Sequence, residues 1–441
     1  MNKRNVLLFL LLLIFASCSS NRKLITNIRK DLRSSNYNEA IVRLDKSDLA
    51  TNSKNNLLYY MEKGTLLFLA DRYSESITYF TLAKRRLDEL FAVSISKQSA
   101  SMISNDLALP YKGEDFEKVL IHYYLALDYL MLNNLEDALV ECRQVNLLLN
   151  EINEKYKKKN VYSEDAFVRY LNGVLFEIFG ELNDSYIDYY RSYKTYKNNY
   201  KRFYNITYPS FLRNDLLRLS SNLGLDDFNI FKEKFGNISY LSESNFKYKN
   251  GEIILIFENG VIPRKTQGEV RAPLVNRAFF KLVFPEYRNI GDTVIGSVKL
   301  TAGKFSSVGG LVEPLAAIAV QDLKDRADRI MARMLARATV KHGATEVATE
   351  MLRRSKYSQF APLVRILGHF FSSATEKADT RGWYTLPHDI FLVRLLVAPG
   401  KYSNLQLNIY NRGDNKIGSV NLGSVTVKTG QRVFKYYRGY W

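Results

Sequence analysis

Glu181-Leu182-Asn183-Asp184-Ser185 is one of four copies of a short theme in the first half of the chain. Each copy has a polar residue, a large apolar residue, two polar or acidic residues, and then alanine or serine. The large residues of the four copies are Tyr37, Tyr73, Leu135 and Leu182. Their intervals are 36, 62 and 47 residues, and the first is close to the ~34-residue period of tetratricopeptide repeats. The theme therefore predicts helix–turn–helix units with insertions between some of them.

The residue types in this theme have a physical reason. A large residue can cap the turn between two helices, and a small residue lets the second helix approach the first closely. The preceding helices carry small residues of their own, Gly64 and Gly173. From about Leu24 to Leu241, apolar residues recur three and four positions apart, which indicates helices throughout. We expect a solenoid of stacked hairpins whose curved surface binds partner proteins, and a generic helical bundle is the alternative.

Nine aromatic residues lie between Tyr186 and Tyr208, with basic residues among them. One interpretation is an exposed platform that binds sugar rings or an acidic partner by stacking and cation–π contacts. The candidate surface consists of Tyr189, Tyr193, Tyr196 and Tyr200, and the interleaved cations are Lys194, Lys197, Lys201 and Arg202. The other interpretation is a packed helix stripe, because spacings of three and four residues place most of these rings on one face.

The pattern changes from helical to strand-like after Asn250-Gly251. Ile253–Phe257 is a buried-strand run, and Asn259-Gly260 after it is a strong turn signal. Further predicted strands cover residues 278–284, 294–300, 390–397, 405–410, 419–427 and 432–437. These short strands predict an antiparallel sandwich or a partly open barrel. The expected fold is α+β and multidomain, with an all-α, tetratricopeptide-like domain over 18–245 and a strand-rich domain over 250–441.

A helical insertion of about residues 314–377 interrupts the strand-rich half. Its apolar stripe runs from Ala316 to Ala338, and its other side is basic. The basic residues are Lys324, Arg326, Arg329, Arg333, Arg337 and Lys341. Such a helix can lie on an anionic membrane surface, or it can cover the sheet with its charges in water. Pro362–Phe371 is a shorter amphipathic piece with the same two interpretations.

The first residues have the pattern of an export signal. Lys3 and Arg4 precede the apolar run Val6–Phe15, which is too short for a ~30 Å hydrocarbon core. The small residues 16–17 then lead directly into Cys18. This arrangement resembles the lipobox of bacterial lipoproteins, whose cysteine is acylated. It implies a signal peptide over 1–17 and a membrane anchor of fatty acyl chains, such as palmitate, on Cys18.

The residue after the cysteine indicates a location. Ser19, and not an acidic residue, follows Cys18, and by analogy with enteric bacteria this favours the outer membrane. We therefore expect a protein of the cell envelope that is lipid-anchored and faces the periplasm. The formal net charge of +18 would suit nucleic acid, but export removes the protein from most of it. Lipid headgroups and wall polymers are the polyanions that remain within reach.

Few residues of the chain suggest catalysis. Two cysteines exclude a disulfide framework and a four-cysteine zinc site, and Cys142 lies in an apolar helical pattern that predicts a buried thiol. The four histidines form no zinc motif, and there is no phosphate loop, dinucleotide fingerprint or nucleophile elbow. His388-Asp389 would be a hydrolytic pair with a remote serine, or a hydrogen-bonded surface histidine. We expect no enzymatic activity, no metal and no cofactor.

One stretch of the C-terminal half carries a family resemblance. Residues 377–387, with the sequence KADTRGWYTLP, precede Val393-Arg394-Leu395 and the stretch 398–402. Together with Glu252–Gly260 they resemble a family of uncharacterised bacterial envelope lipoproteins. That family joins N-terminal tetratricopeptide-like repeats to a conserved strand-rich C-terminal domain. The resemblance implies a setting near cell-wall synthesis, because similar lipoproteins occur beside those that activate penicillin-binding proteins.

Asp379, Arg381 and Trp383 are the candidate recognition loop within this stretch. The functional interpretation is that they line a binding site. The structural interpretation, which we favour, is that Asp379 and Arg381 form a pair that orients the loop over a buried Trp383.

The predicted function is that of a non-enzymatic scaffold or adaptor that binds envelope proteins through its helical repeats. The alternative is a lipoprotein that binds or cleaves peptidoglycan, with the aromatic residues or the Trp383 loop as its glycan site. A secretion or surface-organelle accessory is a third possibility.

Overall fold

The computed structural model describes residues 23–96, 107, 109–155, 162–236, 238, 240, 242, 249–273, 279–288, 290–291, 293–342 and 377–441. Cys18 and the predicted amphipathic piece Pro362–Phe371 lie outside these residues.

The first half of the chain consists of helices that pair into successive hairpins. The helices are α1 (23–33), α2 (Tyr37–Asp45), α3 (Asp48–Thr51), α4 (Asn56–Leu69), α5 (Tyr73–Ser96), α6 (Asp115–Met131), α7 (Leu135–Lys155), α8 (Ala166–Ile178), α9 (Leu182–Thr195), α10 (Lys201–Tyr204), α11 (Ser210–Asn222) and α12 (Asp227–Phe235). The antiparallel partners are α4 with α5, α6 with α7, α8 with α9, and α11 with α12. This pairing confirms the predicted stack of tetratricopeptide-like hairpins.

The turns of these hairpins repeat one geometry. The four large residues of the sequence theme are the first residues of α2, α5, α7 and α9. Two positions earlier the backbone is left-handed, at Ser35, Asp71, Asn133 and Gly180. The next N–H donates back to the carbonyl five residues earlier, as from Arg72 to Leu67 at 2.9 Å. This hydrogen bond closes the first helix, so the short theme marks a turn and not a whole repeat.

The small residues of the theme lie where two helices cross. A Cβ on Gly64 would come within 2.8 Å of the Phe80 ring, and one on Gly173 within 2.5 Å of the Tyr189 ring. Ser185 Oγ donates to the Gly173 carbonyl oxygen at 2.7 Å. Close approach of the paired helices therefore depends on these glycines, as the sequence predicts.

The second half is built on one curled, seven-stranded sheet. The strands are β1 (Gly251–Asn259), β2 (Lys265–Pro273), β3 (Phe279–Tyr287), β4 (Ile295–Ala302), β5 (Phe305–Glu313), β6 (Asp389–Val397), β7 (Gly400–Tyr402), β8 (Leu405–Asn411), β9 (Lys416–Asn421), β10 (Val425–Val427) and β11 (Arg432–Gly439). Their order in the sheet is β11-β1-β6-β5-β4-β8-β9, and β2–β3 and β7–β10 form separate ribbons. The α+β class is confirmed, although β11 pairs with β1 in parallel and departs from the antiparallel expectation.

Two long strands, β2 and β5, are absent from the prediction for physical reasons. β2 has the sequence KTQGEVRAP, whose many polar residues hide the strand signal. β5 contains Gly309-Gly310, which lower strand propensity. A side chain at Gly309 would collide with the Leu392 backbone, so the close pairing of β5 with β6 requires this glycine.

The hydrophobic core runs across the boundary between helices and strands. Ile254, Ile256 and Leu392 belong to the same buried cluster as Leu67 and Tyr124 of the helices. The opposite sheet face forms a second core within the curl, which includes residues such as Leu255 and Ile409. The predicted boundary near residue 250 therefore separates two kinds of secondary structure, but not two independent cores.

The predicted helical insertion begins with α13 (Leu315–His342), which packs against α6, β3 and β6. Leu315, Ile318 and Ala319 are buried, as the apolar stripe predicts. Arg326, predicted on the basic outer face, instead forms ion pairs with Glu114 and, at 2.8 Å, with Asp322. This prediction is wrong for Arg326, because Glu114, at the N-terminal cap of α6, presents a buried carboxylate to that position of the helix. None of the helices in the described ranges is both long and apolar enough to cross a bilayer.

Candidate functional site

The predicted recognition loop lies between the helices and the sheet. We call residues 377–388 the docking loop, which runs from the end of the insertion to β6 and contacts α4 and α6. Trp383 is 1% exposed, and Arg381 is 7% exposed. The loop therefore occupies a surface of the hairpin stack that would otherwise be open to a ligand.

Trp383 is the centre of this contact. Its ring lies 5.8 Å from the Phe80 ring and 5.6 Å from that of Tyr124, measured between centroids. Its indole Nε1 donates to Thr65 Oγ1 at 2.9 Å and to Thr385 Oγ1 at 3.0 Å. The polar edge of the buried ring is thus satisfied on both sides, which lets Trp383 fill an apolar pocket without an unpaired donor.

Two carboxylates of the helices bind three successive backbone amides of the loop. The amide of Trp383 donates to Glu117 Oε1 at 2.8 Å. The amides of Tyr384 and Thr385 donate to the two carboxylate oxygens of Glu62 at 2.7 and 3.1 Å. Backbone recognition of this kind is how a groove holds an extended peptide, and here the peptide is part of the same chain.

Arg381 and Asp379 form the pair that the sequence predicts. The guanidinium donates to the two carboxylate oxygens of Asp379 at 2.9 and 2.7 Å. It also donates to Asn55 Oδ1 at 3.1 Å and to the Leu109 carbonyl oxygen at 3.2 Å. All three candidate loop residues therefore lie beside the chain's own helices, in agreement with the structural interpretation of this loop.

A second contact between helices and sheet is a closed ring of six buried charges. We call it the charge ring, and its members are Glu177, Asp215, Arg218, Glu252, Arg394 and Arg432. The first three belong to α8 and α11, and the others to β1, β6 and β11. Each arginine bridges two carboxylates, so positive and negative groups alternate around the ring.

The distances in the charge ring are those of direct ion pairs. Arg218 lies 2.7 Å from Glu177 and 3.0 Å from Asp215. Arg394 lies 2.5 Å from Asp215 and 2.6 Å from Glu252.

Arg432 closes the charge ring by pairing with Glu177 and, at 3.2 Å, with Glu252. Burial by itself raises the pKa of Glu177, but Arg432 and Arg218 outweigh it, and the pKa falls to about 2. Glu177 is therefore ionised near neutral pH, and although burial acts in the opposite direction, the arginines also lower the pKa of Glu252. The ring combines three carboxyl and three guanidinium side chains. Buried ions of this kind depend on one another, because each loses its water when the halves pack together.

The candidate aromatic surface is buried. Tyr189, Tyr193, Tyr196 and Tyr200 are between 0% and 3% exposed. Tyr196 donates to the Val312 carbonyl oxygen at 2.9 Å, and Tyr200 donates to Glu313 at 2.8 Å. The prediction of an exposed platform is therefore wrong for these four rings. They form the packed stripe, because their helix face meets the other hairpins and β5.

His388 is held by two acceptors. Its Nδ1 lies 2.8 Å from Asp389, and its Nε2 lies 3.1 Å from the Ile290 carbonyl oxygen. Burial lowers the pKa of His388, but Asp389 outweighs this effect, and the pKa is raised. Both nitrogens donate only when the ring is protonated, so this geometry favours an imidazolium and leaves no free nitrogen as a base. Over the described ranges, no three histidine, cysteine or acidic side chains are grouped as metal ligands would be.

Sequence reasoning missed the groups that hold the docking loop and the sheet. Glu62 directly follows the largely apolar run Leu57–Met61 of α4, and its side chain is buried. A carboxylate at a buried helical position requires a partner, and this is the signal that would have identified it. The sequence pattern does not reveal that the hydrogen-bond partners of Glu62 are backbone amides more than 300 residues later in the chain.

Glu62 gives the loop contact a pH dependence. Burial raises its pKa from 4.5 to about 7, although the two amide donors act in the opposite direction. The folded protein therefore binds this proton more tightly than the unfolded chain, so its stabilising effect is lost as pH rises from 4.5 to about 7. Between pH 5 and 7.5 we expect the wild-type free energy of unfolding to fall by about 2 kcal/mol more than that of Glu62→Gln.

Urea unfolding at the two pH values measures this difference. The exposed substitution Glu136→Gln is the matched control and should leave the pH dependence of the wild type unchanged. Equal pH dependence in wild type and Glu62→Gln would contradict the assignment.

Comparison with known proteins finds similarity to solved structures, among them TPR-like repeat proteins. A crystal structure of MamA protein covers 50% of this chain and 98% of its own, with 12% identity and a TM-score of 0.29. TPR-like repeats of a putative kinesin light chain from Podosopora anserina cover 48% and 91%, with 13% identity and a TM-score of 0.30. BtubC from P. vanneervenii covers 49% and 78%, with 15% identity and a TM-score of 0.27. The sequence matches no family profile and no curated protein.

Proposed function

We propose that the protein is a lipid-anchored, non-enzymatic scaffold of the cell envelope that binds partner proteins through the outer surface of its helical hairpins. A setting near cell-wall synthesis is the finer form of this proposal. The observation that supports it best is the docking loop, which fills a groove of the hairpin stack with the chain's own residues. Partners are then left with the outward faces of the helices.

The outer surface has features that suit protein contacts. Large apolar side chains are exposed on the second helices of several hairpins, including Val42, Val140, Leu147 and Ile187, at 45% to 57% exposure. Val42, Val140 and Ile187 each lie five residues after the first residue of their helix, so they occupy the same position in three of the hairpins, and α5 has the exposed Thr78 there. A repeated, outward-facing position of this kind is typical of a binding surface in helical repeats.

The glycan alternative loses the residues on which it depended. Trp383 and the four tyrosines of the candidate aromatic surface are buried, so no sugar ring can stack on them in this conformation. Nε2 of His388, the nitrogen that would act as the base, lies 3.1 Å from the Ile290 carbonyl oxygen, which disfavours the candidate hydrolytic pair.

Crosslinking in cells tests the scaffold proposal. A photoreactive amino acid at Val140 or Leu147 should capture envelope proteins, and one at the buried position Val145 on the same helix is the matched control. Capture of no envelope protein from either exposed position would contradict the proposal.

Palmitate labelling tests the anchor separately. The wild-type chain should incorporate label, and Cys18→Ala should not. A processed chain without label would remove the lipid anchor from the proposal.

A further inference from the structure

The helix that carries the buried tyrosines has an opposite face made of cations. Helix α9, the π-helical turn Tyr196–Tyr200 and α10 follow one another without a break from 182 to 204. Five basic side chains on this stretch are exposed, and we call them the cationic stripe. They are Arg191, Lys194, Lys197, Lys201 and Arg202. At 1.5 Å per residue the stripe is about 16 Å long.

The direction of the cationic stripe is fixed by the contacts on the inner face. Tyr196 and Tyr200 are bound to Val312 and Glu313 of β5, so the helix cannot rotate without breaking buried hydrogen bonds. The exposed cations alternate with the buried residues at helical spacing and point away from the sheet. The mixture of rings and cations in the sequence is thus divided between two faces, and only the cations reach solvent.

Several other arginines of the hairpins are paired with carboxylates, unlike these five cations. Arg43, Arg72, Arg86 and Arg143 each form an ion pair with an acidic side chain. Across the part of the chain that the structure describes, no ion pair joins any member of the cationic stripe to a carboxylate. Lys194 lies 4.4 Å from the Tyr190 ring, and Lys201 donates to Asn205 at 2.9 Å. These contacts orient the side chains, and Arg191 also acts electrostatically on the buried carboxylate of Asp188. The stripe as a whole keeps an excess of positive charge.

We propose that the cationic stripe docks on the anionic phospholipid headgroups of a bilayer. Arg191 and Lys194 line one side of an open cavity that Glu164 also lines, and Lys197, Lys201 and Arg202 extend the positive charge along the helix beyond it. Lysine is a compact, mobile point charge that can follow headgroups of variable position. Clusters of four or more cations near a membrane are attracted to anionic lipid in this way. The proposal builds on the proposed function, since an anchor on Cys18 would keep the stripe close to a bilayer.

Vesicle sedimentation with the full-length chain tests this proposal. The vesicles are phosphatidylcholine alone, or phosphatidylcholine with 30% phosphatidylglycerol. The triple variant Lys194→Gln, Lys197→Gln, Lys201→Gln removes three charges of the stripe. Its matched control, Lys401→Gln, Lys416→Gln, Lys428→Gln, removes three exposed charges from the sheet. All of these chains share the same first 22 residues, so differences between them report on the folded surface.

We expect the wild type and the sheet control to bind the anionic vesicles at least tenfold better than the neutral ones. The stripe variant should lose most of this preference, and added salt should weaken it in the wild type. Equal preference in the wild type and the stripe variant would overturn the proposal, as would an equal loss in the sheet control. Saturable binding of the wild type to an acidic protein, without any preference for anionic vesicles, would also overturn it. Absence of palmitate on Cys18 would refute the anchor without changing these ratios, so the two failures are distinguishable.

Discussion

Replacing Trp383 with alanine should lower the free energy of unfolding by about 3–5 kcal/mol, which is the usual cost of deleting a large buried aromatic side chain. The side chain is 1% exposed and packs on Phe80 and Tyr124. Its removal also leaves the Thr65 hydroxyl without the indole donor. Because Trp383 joins the docking loop to the helices, the loss should affect helices and sheet together.

The matched control is the other tryptophan of the chain. Trp441 is 42% exposed, although its ring covers Gly418 and Gly439. Trp441→Ala should therefore cost at most about half as much as Trp383→Ala. Urea unfolding followed by circular dichroism measures both free energies of unfolding. Trp383→Phe keeps a ring in the pocket, so its free energy of unfolding should lie between those of the wild type and Trp383→Ala. Similar losses for the two alanine variants would contradict the central position of Trp383.

Replacing Arg394 with methionine should also cost about 3–5 kcal/mol, because it breaks the charge ring at its sheet side. Methionine fills a similar volume but leaves Asp215 and Glu252 without the cation that lies between them. Both carboxylates are buried, so water cannot replace the lost guanidinium. The helices should consequently hold the sheet less firmly, and limited proteolysis of the folded protein should become faster.

Two comparisons separate this effect from the general loss of an arginine. Arg86→Met removes the same group from the partly exposed pair with Glu89, and its expected cost is below about 1 kcal/mol. Adding Glu252→Gln to Arg394→Met should restore part of the stability, because two carboxylates and two guanidinium groups then remain in the ring and their charges balance. Additive losses in the double variant would show that the charge ring does not act as a unit.

The sequence by itself determined the local structure of the helical half. Large residues at the turns, alanine or serine three residues later, and Gly64 and Gly173 in the first helices predicted the hairpins. The structure has them at these positions. This was possible because turn closure and helix crossing depend on residues that are near one another in the chain. The buried Cys142 and the β1 strand were predictable for the same reason.

Only the tertiary structure decided which surfaces are free. The tyrosines of the 182–204 helix and the loop around Trp383 had two interpretations each. Tyr196 and Tyr200 are buried against β5, and Trp383 is buried against α4 and α6, all more than 100 residues away in the chain. Glu62 and the members of the charge ring are unremarkable charges in the sequence, and their partners come from the opposite half of the chain. Periodicity reports which face of an element is apolar. It does not report what packs there, because burial of a charge depends on the charges that the fold brings to meet it.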